Sequence, residues 1–410
     1  MSSINSSEDD KKNENNINSN VKSISKEEKP KEEENQNKSN NNNIIKLSDA
    51  LKDPNIYNNI KSIISAIFNY QVDALNDVNK MERDFKTIGE KYTKRLPFDY
   101  MDRLKKFKEA ILLNYTFLFK VASPYRGLFK YYKDSSGEVY FEPLNVQKQD
   151  IIGIRSNLRL FARDWSSEGI EERNETYKPI LNELKSYFKN KSKKDFENGI
   201  KVLVPGAGLG RLLYEIGKLG FKVEGNELSF NMLLFYSYLI DNNLKKNEII
   251  IQPFIHTLNN LLNFETAFKK IMIPDENIKE ELSKTETGEL NMIGGEFCAI
   301  YKEKINVYDS IVTCFFIDTA KNIIQYIEII HNSLKLGGLW LNIGPLFYLH
   351  TDNPNEVNIQ LGWNDIKDVI IGFGFELTKE EIIETTYSSD KDSMMNRVYR
   401  CIFFSAVKKK

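Results

Sequence analysis

The sequence has little of several features that would reveal a function directly. Its 410 residues include only three cysteines and no C-x-x-C pair, so we expect buried reduced thiols rather than disulfides or a zinc site. No run approaches the roughly 18 apolar residues that span a bilayer, and no secretory signal is recognisable. The 57 basic and 58 acidic residues nearly cancel, so nothing attracts the whole chain to nucleic acid or anionic membranes. These absences predict a cytoplasmic protein, with the nucleus as the alternative location, that binds no metal, nucleic acid or membrane.

Composition divides the chain into three parts. Residues 1–45 are rich in Asn, Ser, Lys and Glu, and this predicts a disordered tail because so few apolar side chains cannot offset the entropy of ordering. Residues 46–190 carry apolar side chains at helical spacing, as at Ile60, Ile63, Ile64 and Ile67, and we expect these helices to cover one side of a cleft. Residues 191–410 predict an α/β domain with a mostly parallel, doubly wound sheet and an irregular insertion around residues 257–289.

The clearest motif is a glycine turn after a short apolar strand that ends at Pro205. Gly206, Gly208 and Gly210 form G-x-G-x-G before a helical pattern, and the next predicted strand ends at Glu227, whose carboxylate can accept hydrogen bonds from ribose hydroxyls. The third glycine comes one residue too early for the dinucleotide fingerprint, and no phosphate-binding loop of the G-x-x-x-x-G-K-[ST] type occurs. The spacing favours a ligand with a ribose and a compact tail, such as S-adenosylmethionine. A tight βα connection without any ligand is the alternative.

Polar residues at two later strand ends are further candidates. Glu296 and Phe297 follow a predicted strand, where the carboxylate can meet an adenine amino group and the ring can stack beside it. Asp318 ends a long apolar run, so it either faces the ligand cleft or caps the following helix.

Arg163 is the candidate ahead of the sheet. It can hold a ligand carboxylate through a bidentate pair. The alternative is a surface contact with Asp164, beside Trp165 as a core anchor.

Taken together, the order of these features resembles class I S-adenosylmethionine-dependent methyltransferases. Within that class, several strings are similar to those of the carnosine N-methyltransferase family: LVPGAGLGRL, GNELSF, TCFFIDTA, NIGPLFY and DSMM. The resemblance extends from about Ile60 to Lys408.

The resemblance implies methyl transfer from S-adenosylmethionine to an imidazole nitrogen of carnosine (β-alanyl-histidine), giving anserine, and to related histidine dipeptides. A homodimer is a further expectation. The implied cofactor residues are Arg163, Gly206, Gly208, Gly210, Glu227, Glu296, Phe297 and Cys314. Asp318 would accept a hydrogen bond from the imidazole N–H, and His350 and Tyr399 would help to bind the dipeptide.

The chain departs from the family pattern mainly on the acceptor side. Lys321 and Leu349 stand where the family has histidine, Leu160 stands where it has glutamine, and Arg397 begins a string that is more aromatic in the family. Two alternatives therefore stay open. One is a methyltransferase for another imidazole or for a histidine in a peptide, and the other is a cofactor-binding scaffold without catalysis.

Overall fold

The computed structural model describes residues 54–129, 131–133, 139–141, 146–348 and 357–410, and these belong to one compact unit. The predicted tail at residues 1–45 lies outside the described residues, and the boundary between the second and third parts stays a prediction. Within the described ranges, no helix is both long and apolar enough to cross a membrane.

The N-terminal part is helical, as predicted. Its long helices bury one apolar face, where Ile64, Ile67 and Phe117 lie in a common core. The start of one helix is fixed by Asp99, whose carboxylate accepts a hydrogen bond from the Met101 N–H at 2.8 Å. The helices and the small hairpin of this part are α1 Pro54–Ile88, α2 Glu90–Thr93, α3 Tyr100–Ala122, β1 Tyr131–Lys133, β2 Val139–Phe141, α4 Lys148–Trp165, α5 Ile170–Tyr187 and α6 Lys193–Asn198.

The C-terminal part contains a central sheet with helices on both faces, which confirms the predicted α/β fold. Apolar runs form its inner strands because both faces are covered. Its elements are β3 Lys201–Pro205, α7 Arg211–Gly217, β4 Lys222–Glu227, α8 Phe230–Asp241, β5 Ile249–Ile251, β6 Ile271–Ile273, α9 Ile278–Ser283, β7 Glu289–Gly294, α10 Phe297–Tyr301, β8 Tyr308–Cys314, α11 Ile323–Ser333, β9 Leu334–Gly344, α12 Trp363–Gly372, β10 Phe375–Thr385 and β11 Tyr399–Lys408.

The sheet has seven strands in the order β10-β11-β9-β8-β3-β4-β7. Strands β7, β4, β3, β8 and β9 are parallel, whereas β11 runs antiparallel to both of its neighbours. The carboxyl ends of the parallel strands therefore lie along one edge, together with the loop from β10 to β11. In an open α/β sheet this edge is where ligands bind.

The insertion is more ordered than the sequence suggested. Strand β6 pairs antiparallel with β5, so Ile249 lies opposite Ile273. Residues Ile251 and Ile271 are buried against the N-terminal helices. The insertion thus joins the helical part to the sheet. Strand β5 is predicted by its run of three isoleucines, whereas β6 is too short for its periodicity to be recognised.

Candidate functional site

The glycine turn follows β3 directly at the ligand edge of the sheet. All three glycines have positive φ, at 66° for Gly206, 57° for Gly208 and 78° for Gly210. A Cβ on Gly206 would lie 2.6 Å from the Phe316 ring, and one on Gly210 would lie 2.3 Å from the Tyr236 ring. Conformation and close packing both require glycine here, so the turn brings backbone without Cβ atoms to the edge, and its Gly208 and Gly210 N–H groups bond Glu227 and the Ala207 carbonyl.

Glu227 ends β4, beside this turn. Its carboxylate accepts hydrogen bonds from the N–H of Gly208 and of Ser229, both at 2.8 Å. Burial raises the pKa of Glu227, and these two N–H groups oppose that shift. A carboxylate has about four acceptor positions, so Glu227 keeps capacity for ligand hydroxyls.

Arg163 lies at the end of α4 and is buried with its countercharges. Its Nη1 donates to Asp164 Oδ1 at 2.5 Å and to the Tyr177 hydroxyl at 2.7 Å. The Arg163–Asp164 pair is therefore internal rather than the surface contact that was one alternative. Within the described part of the chain, Nε and Nη2 of Arg163 have no hydrogen-bond partner. Buried N–H groups are rarely left unpaired in native structures, so this guanidinium is suited to hold an anionic ligand group.

The backbone that carries Arg163 is fixed by an unusual set of donors. The last carbonyls of a helix have no partner within it. Here Arg173 donates to the carbonyl of Arg163 at 2.5 Å and Arg211 donates to that of Asp164 at 2.9 Å, while the Asp275 N–H bonds the carbonyl of Trp165 at 2.9 Å.

Asp275 also holds the two arginines. Its carboxylate accepts from Arg173 at 2.7 Å and from Arg211 at 2.5 Å. Two cations near a helix C-terminus also complement its dipole. Trp165 itself is fully buried and its indole N–H bonds the carbonyl of Leu209 at 3.0 Å, which connects α4 to the glycine turn.

Glu296 and Phe297 lie on the same edge, after β7. Glu296 is exposed and caps α10, accepting from the Ala299 N–H at 2.7 Å. Phe297 is buried, with ring centroids 5.3 Å from Phe316 and 5.0 Å from Tyr326. Both residues lie at the predicted strand end, and their contacts to adenine stay a prediction.

Asp318 follows β8 and is nearly buried. Its Oδ2 accepts a hydrogen bond from the Phe347 N–H at 2.9 Å. Burial raises the pKa of Asp318 to about 6 against this opposing hydrogen bond. The Asp318 charge adds to burial in raising the pKa of Tyr348. Helix α11 is capped instead by Asn322, whose side chain accepts from the Ile324 N–H at 3.2 Å, so the carboxylate of Asp318 is available to a ligand.

The remaining predicted residues lie in different surroundings. Cys314 as a residue is only partly buried, but the burial of its thiol raises its pKa to about 12 despite the nearby Arg163. Cys298 is also partly exposed, and Cys401 is buried as expected. Tyr399 begins β11, with its ring centroid 6.0 Å from that of Phe315.

Three departures and one candidate remain to be placed. His350 and Leu349 lie outside the described residues. Leu160 is buried one turn before Arg163, and Lys321 is exposed after Asp318.

Sequence reasoning missed Tyr387 and Glu172. The Tyr387 ring lies 4.6 Å from the guanidinium carbon of Arg163 and 4.7 Å from the Phe315 ring. Glu172 is buried and its Oε2 lies 3.5 Å from Arg163 Nε. The DSMM string begins at Asp392 on the loop that carries Tyr387, but a single sequence gives no sign that this loop turns back over α5.

Residues 141–410 match the family model described as carnosine N-methyltransferase. Carnosine N-methyltransferase of Mus musculus is 35% identical over 347 residues, which cover 83% of this chain and 84% of the mouse protein. That of Dictyostelium discoideum is 34% identical over 362 residues, covering 85% of this chain and 76% of the relative. A solved magnesium protoporphyrin IX methyltransferase from Synechocystis aligns with 62% of this chain and 100% of its own, at 10% identity and a TM-score of 0.33, a likeness too loose to add to the topology described above. By the family model and these relatives, the chain belongs to the carnosine N-methyltransferase family and is an N-methyltransferase.

Proposed function

We propose that the protein transfers the methyl group of S-adenosylmethionine to an imidazole nitrogen of carnosine, giving anserine, and accepts related histidine dipeptides. Family membership supports the reaction. The observation that carries the acceptor is Asp318, a nearly buried carboxylate with one oxygen held by a backbone N–H. It lies at the same sheet edge as the glycine turn, so a ring bound to it faces the proposed cofactor.

The residues on the proposed cofactor side fit S-adenosylmethionine. The unpartnered N–H groups of Arg163 suit its carboxylate, and Glu227, next to the bare turn at Gly208, suits its ribose hydroxyls. Glu296 and Phe297 at the end of β7 are proposed to meet the adenine, with Cys314 beside Arg163. When bound, this cofactor supplies an electrophilic methyl group on a sulfonium.

Asp318 is proposed to orient the acceptor ring. Its carboxylate accepts the hydrogen bond of the imidazole N–H, so the lone pair of the other ring nitrogen is free to attack the methyl carbon. A neutral imidazole is already nucleophilic near pH 7 because its reference pKa is about 6.5. The enzyme must therefore mainly align nitrogen, carbon and sulfur.

The same carboxylate handles the charge that the reaction creates. As the N–C bond forms, the C–S pair leaves with sulfur and the ring becomes a cation, which the adjacent anion stabilises. The ring N–H proton then passes to Asp318, whose pKa of about 6 allows both its uptake and its release to water. Tyr399 and His350 are proposed to contact the dipeptide.

The balanced charge of the chain supports a small-molecule acceptor rather than nucleic acid. A cytoplasmic or nuclear location and a homodimer remain predictions.

The test is incubation with labelled S-adenosylmethionine and a panel of histidine compounds, with mass spectrometry to locate the methyl group. We expect label on the ring of carnosine. Label on another imidazole with carnosine ignored would replace the proposed acceptor. Cofactor binding without transfer to any histidine compound would favour the scaffold.

A further inference from the structure

The β10–β11 loop, residues 386–398, is held over the site by one buried carboxylate. Glu172 on α5 accepts hydrogen bonds from the Thr386 hydroxyl and from the N–H groups of Ser388 at 2.9 Å and Ser389 at 3.0 Å. Glu172 is only 6% exposed. A buried carboxylate without partners is costly, so these donors stabilise its charge only while the loop is in place.

The same carboxylate lies beside the guanidinium that we propose for the cofactor. Glu172 Oε2 is 3.5 Å from Arg163 Nε, too far for a strong hydrogen bond. Because the loop donors satisfy Glu172, the guanidinium keeps Nη2 and Nε available for a ligand carboxylate. The loop also brings the Tyr387 ring to 4.6 Å from the guanidinium carbon. Covering a charge pair from water strengthens its attraction.

The loop reaches the acceptor side as well. The ring of Tyr387 packs 4.7 Å from that of Phe315, and Phe315 meets Tyr399 edge to face at 6.0 Å. A line of aromatic contacts therefore runs from Arg163 to the proposed dipeptide residue Tyr399. Its central member, Tyr387, is placed by the loop that Glu172 holds.

We propose that Glu172 is a positioning residue that couples the two sides of the site. Glu172 holds the β10–β11 loop over Arg163. When the carboxylate of the cofactor binds Arg163, the affinity of the site for the acceptor therefore rises. The coupling is reciprocal, because each ligand must change the affinity for the other by the same factor. The inference rests on the proposed function both for the cofactor at Arg163 and for the acceptor, and the loop and the acceptor are measured separately below.

The chain offers a matched pair of variants. Glu172→Gln removes the charge and turns one acceptor oxygen into an N–H donor that faces the loop donors. Glu171→Gln changes the neighbouring side chain, which is 70% exposed and, among the described residues, meets the loop through Lys391 at 2.5 Å. Glu172→Asp keeps the charge and should restore part of the effect.

Trypsin reports loop closure directly, because Lys391 and Arg397 lie on the loop. With S-adenosylhomocysteine as the probe, we expect cleavage at these sites to slow by about fivefold or more in the wild type and in Glu171→Gln. In Glu172→Gln, where the cofactor no longer favours the closed loop, the ligand should change the rate less than about twofold. Equal protection in Glu172→Gln and wild type, or none in the wild type, would overturn the inference.

Calorimetry with carnosine tests the coupling itself. S-adenosylhomocysteine should raise carnosine affinity by about fivefold or more in the wild type, partly in Glu172→Asp, and not in Glu172→Gln. Should Glu172→Gln fail to fold, Thr386→Val removes one loop donor, keeps the buried carboxylate, and should show intermediate coupling. If carnosine binds neither the wild type nor any variant while S-adenosylhomocysteine still protects the loop from trypsin, the proposed acceptor is wrong and the effect of the cofactor on the loop still stands. If S-adenosylhomocysteine raises carnosine affinity equally in all variants, Glu172 does not couple the two sides.

Discussion

The proposed cofactor side and acceptor side of the site consist of different kinds of chemical groups. The cofactor side consists of a backbone turn at three left-handed glycines and of charges buried in ion pairs, such as Arg173 with Asp275. The acceptor side consists of side chains at strand ends and in loops, where Phe347 beside Asp318 is 50% exposed. We therefore expect changes in the ion pairs of the first to destabilise the fold more than changes in the second.

The largest expected effect is a loss of stability when the ion pairs of the cofactor side are removed. Asp275→Ala leaves Arg173 and Arg211 without their shared countercharge, and we expect it to lower the free energy of unfolding by about 3–5 kcal/mol. Urea denaturation measures this change.

The control is Lys193→Ala, which removes an exposed partner of Glu286 and should leave the denaturation midpoint unchanged. If Asp275→Ala unfolds at the same urea concentration as this control, the internal ion pairs do not support the cofactor side.

Breaking the acceptor side should spare both the fold and cofactor binding. Asp318→Ala removes the proposed partner of the imidazole N–H, and turnover with carnosine should fall by about 100-fold or more, as when one transition-state hydrogen bond is lost. Steady-state kinetics and calorimetry with S-adenosylhomocysteine measure the two quantities. Full activity would remove Asp318 from the mechanism, and an equal loss of cofactor affinity would erase the contrast between the two sides.

A milder change on the cofactor side should show the opposite pattern. Glu227→Ala removes hydrogen bonds to Gly208 and Ser229 as well as the proposed ones to ribose, so cofactor affinity should fall by about tenfold to a hundredfold. Turnover at saturating cofactor should change less than about twofold, since Glu227 is not expected to touch the acceptor. Kinetics at varied cofactor concentration separate the two, and a turnover defect without weaker affinity would contradict the assignment.

The smallest expected effect is on the pH dependence of kcat/KM, which reports on Asp318 of the acceptor side. The pKa of Asp318 is raised to about 6, and its ionised form is the proposed hydrogen-bond acceptor, so this form is lost as pH falls through 6. At pH 5 the loss lowers kcat/KM by about tenfold beyond that caused by protonating the acceptor imidazole. A plot of log kcat/KM against pH should approach a slope of about 2 in the wild type and about 1 in Asp318→Asn. A slope of 1 in both would show that Asp318 does not titrate in this range.

Sequence patterns predicted the sheet and the glycine turn because both depend on local chemistry. The glycine turn requires glycine for its φ values, and buried strands require apolar runs, so each is legible within a few residues. The same reasoning placed Glu227 and Asp318 at strand ends.

Long-range contacts could not be predicted in this way. Glu172 meets Ser389 across 217 residues of chain, and Arg211 meets Asp275 across 64. Such pairs carry no local periodicity. The sequence also could not show whether the Arg163–Asp164 pair is buried or exposed, because this depends on which distant residues cover the pair.

The antiparallel course of β11 has a consequence for engineering. Strand β10 delivers the chain to the ligand edge and β11 takes it away from there, because the two form a hairpin from Thr385 to Tyr399. Residues 386–398 between them form a cassette whose ends are fixed by the sheet. We therefore expect homologous cassettes to be exchangeable at Thr385 and Tyr399, provided that the contacts of the loop with Glu172 are kept.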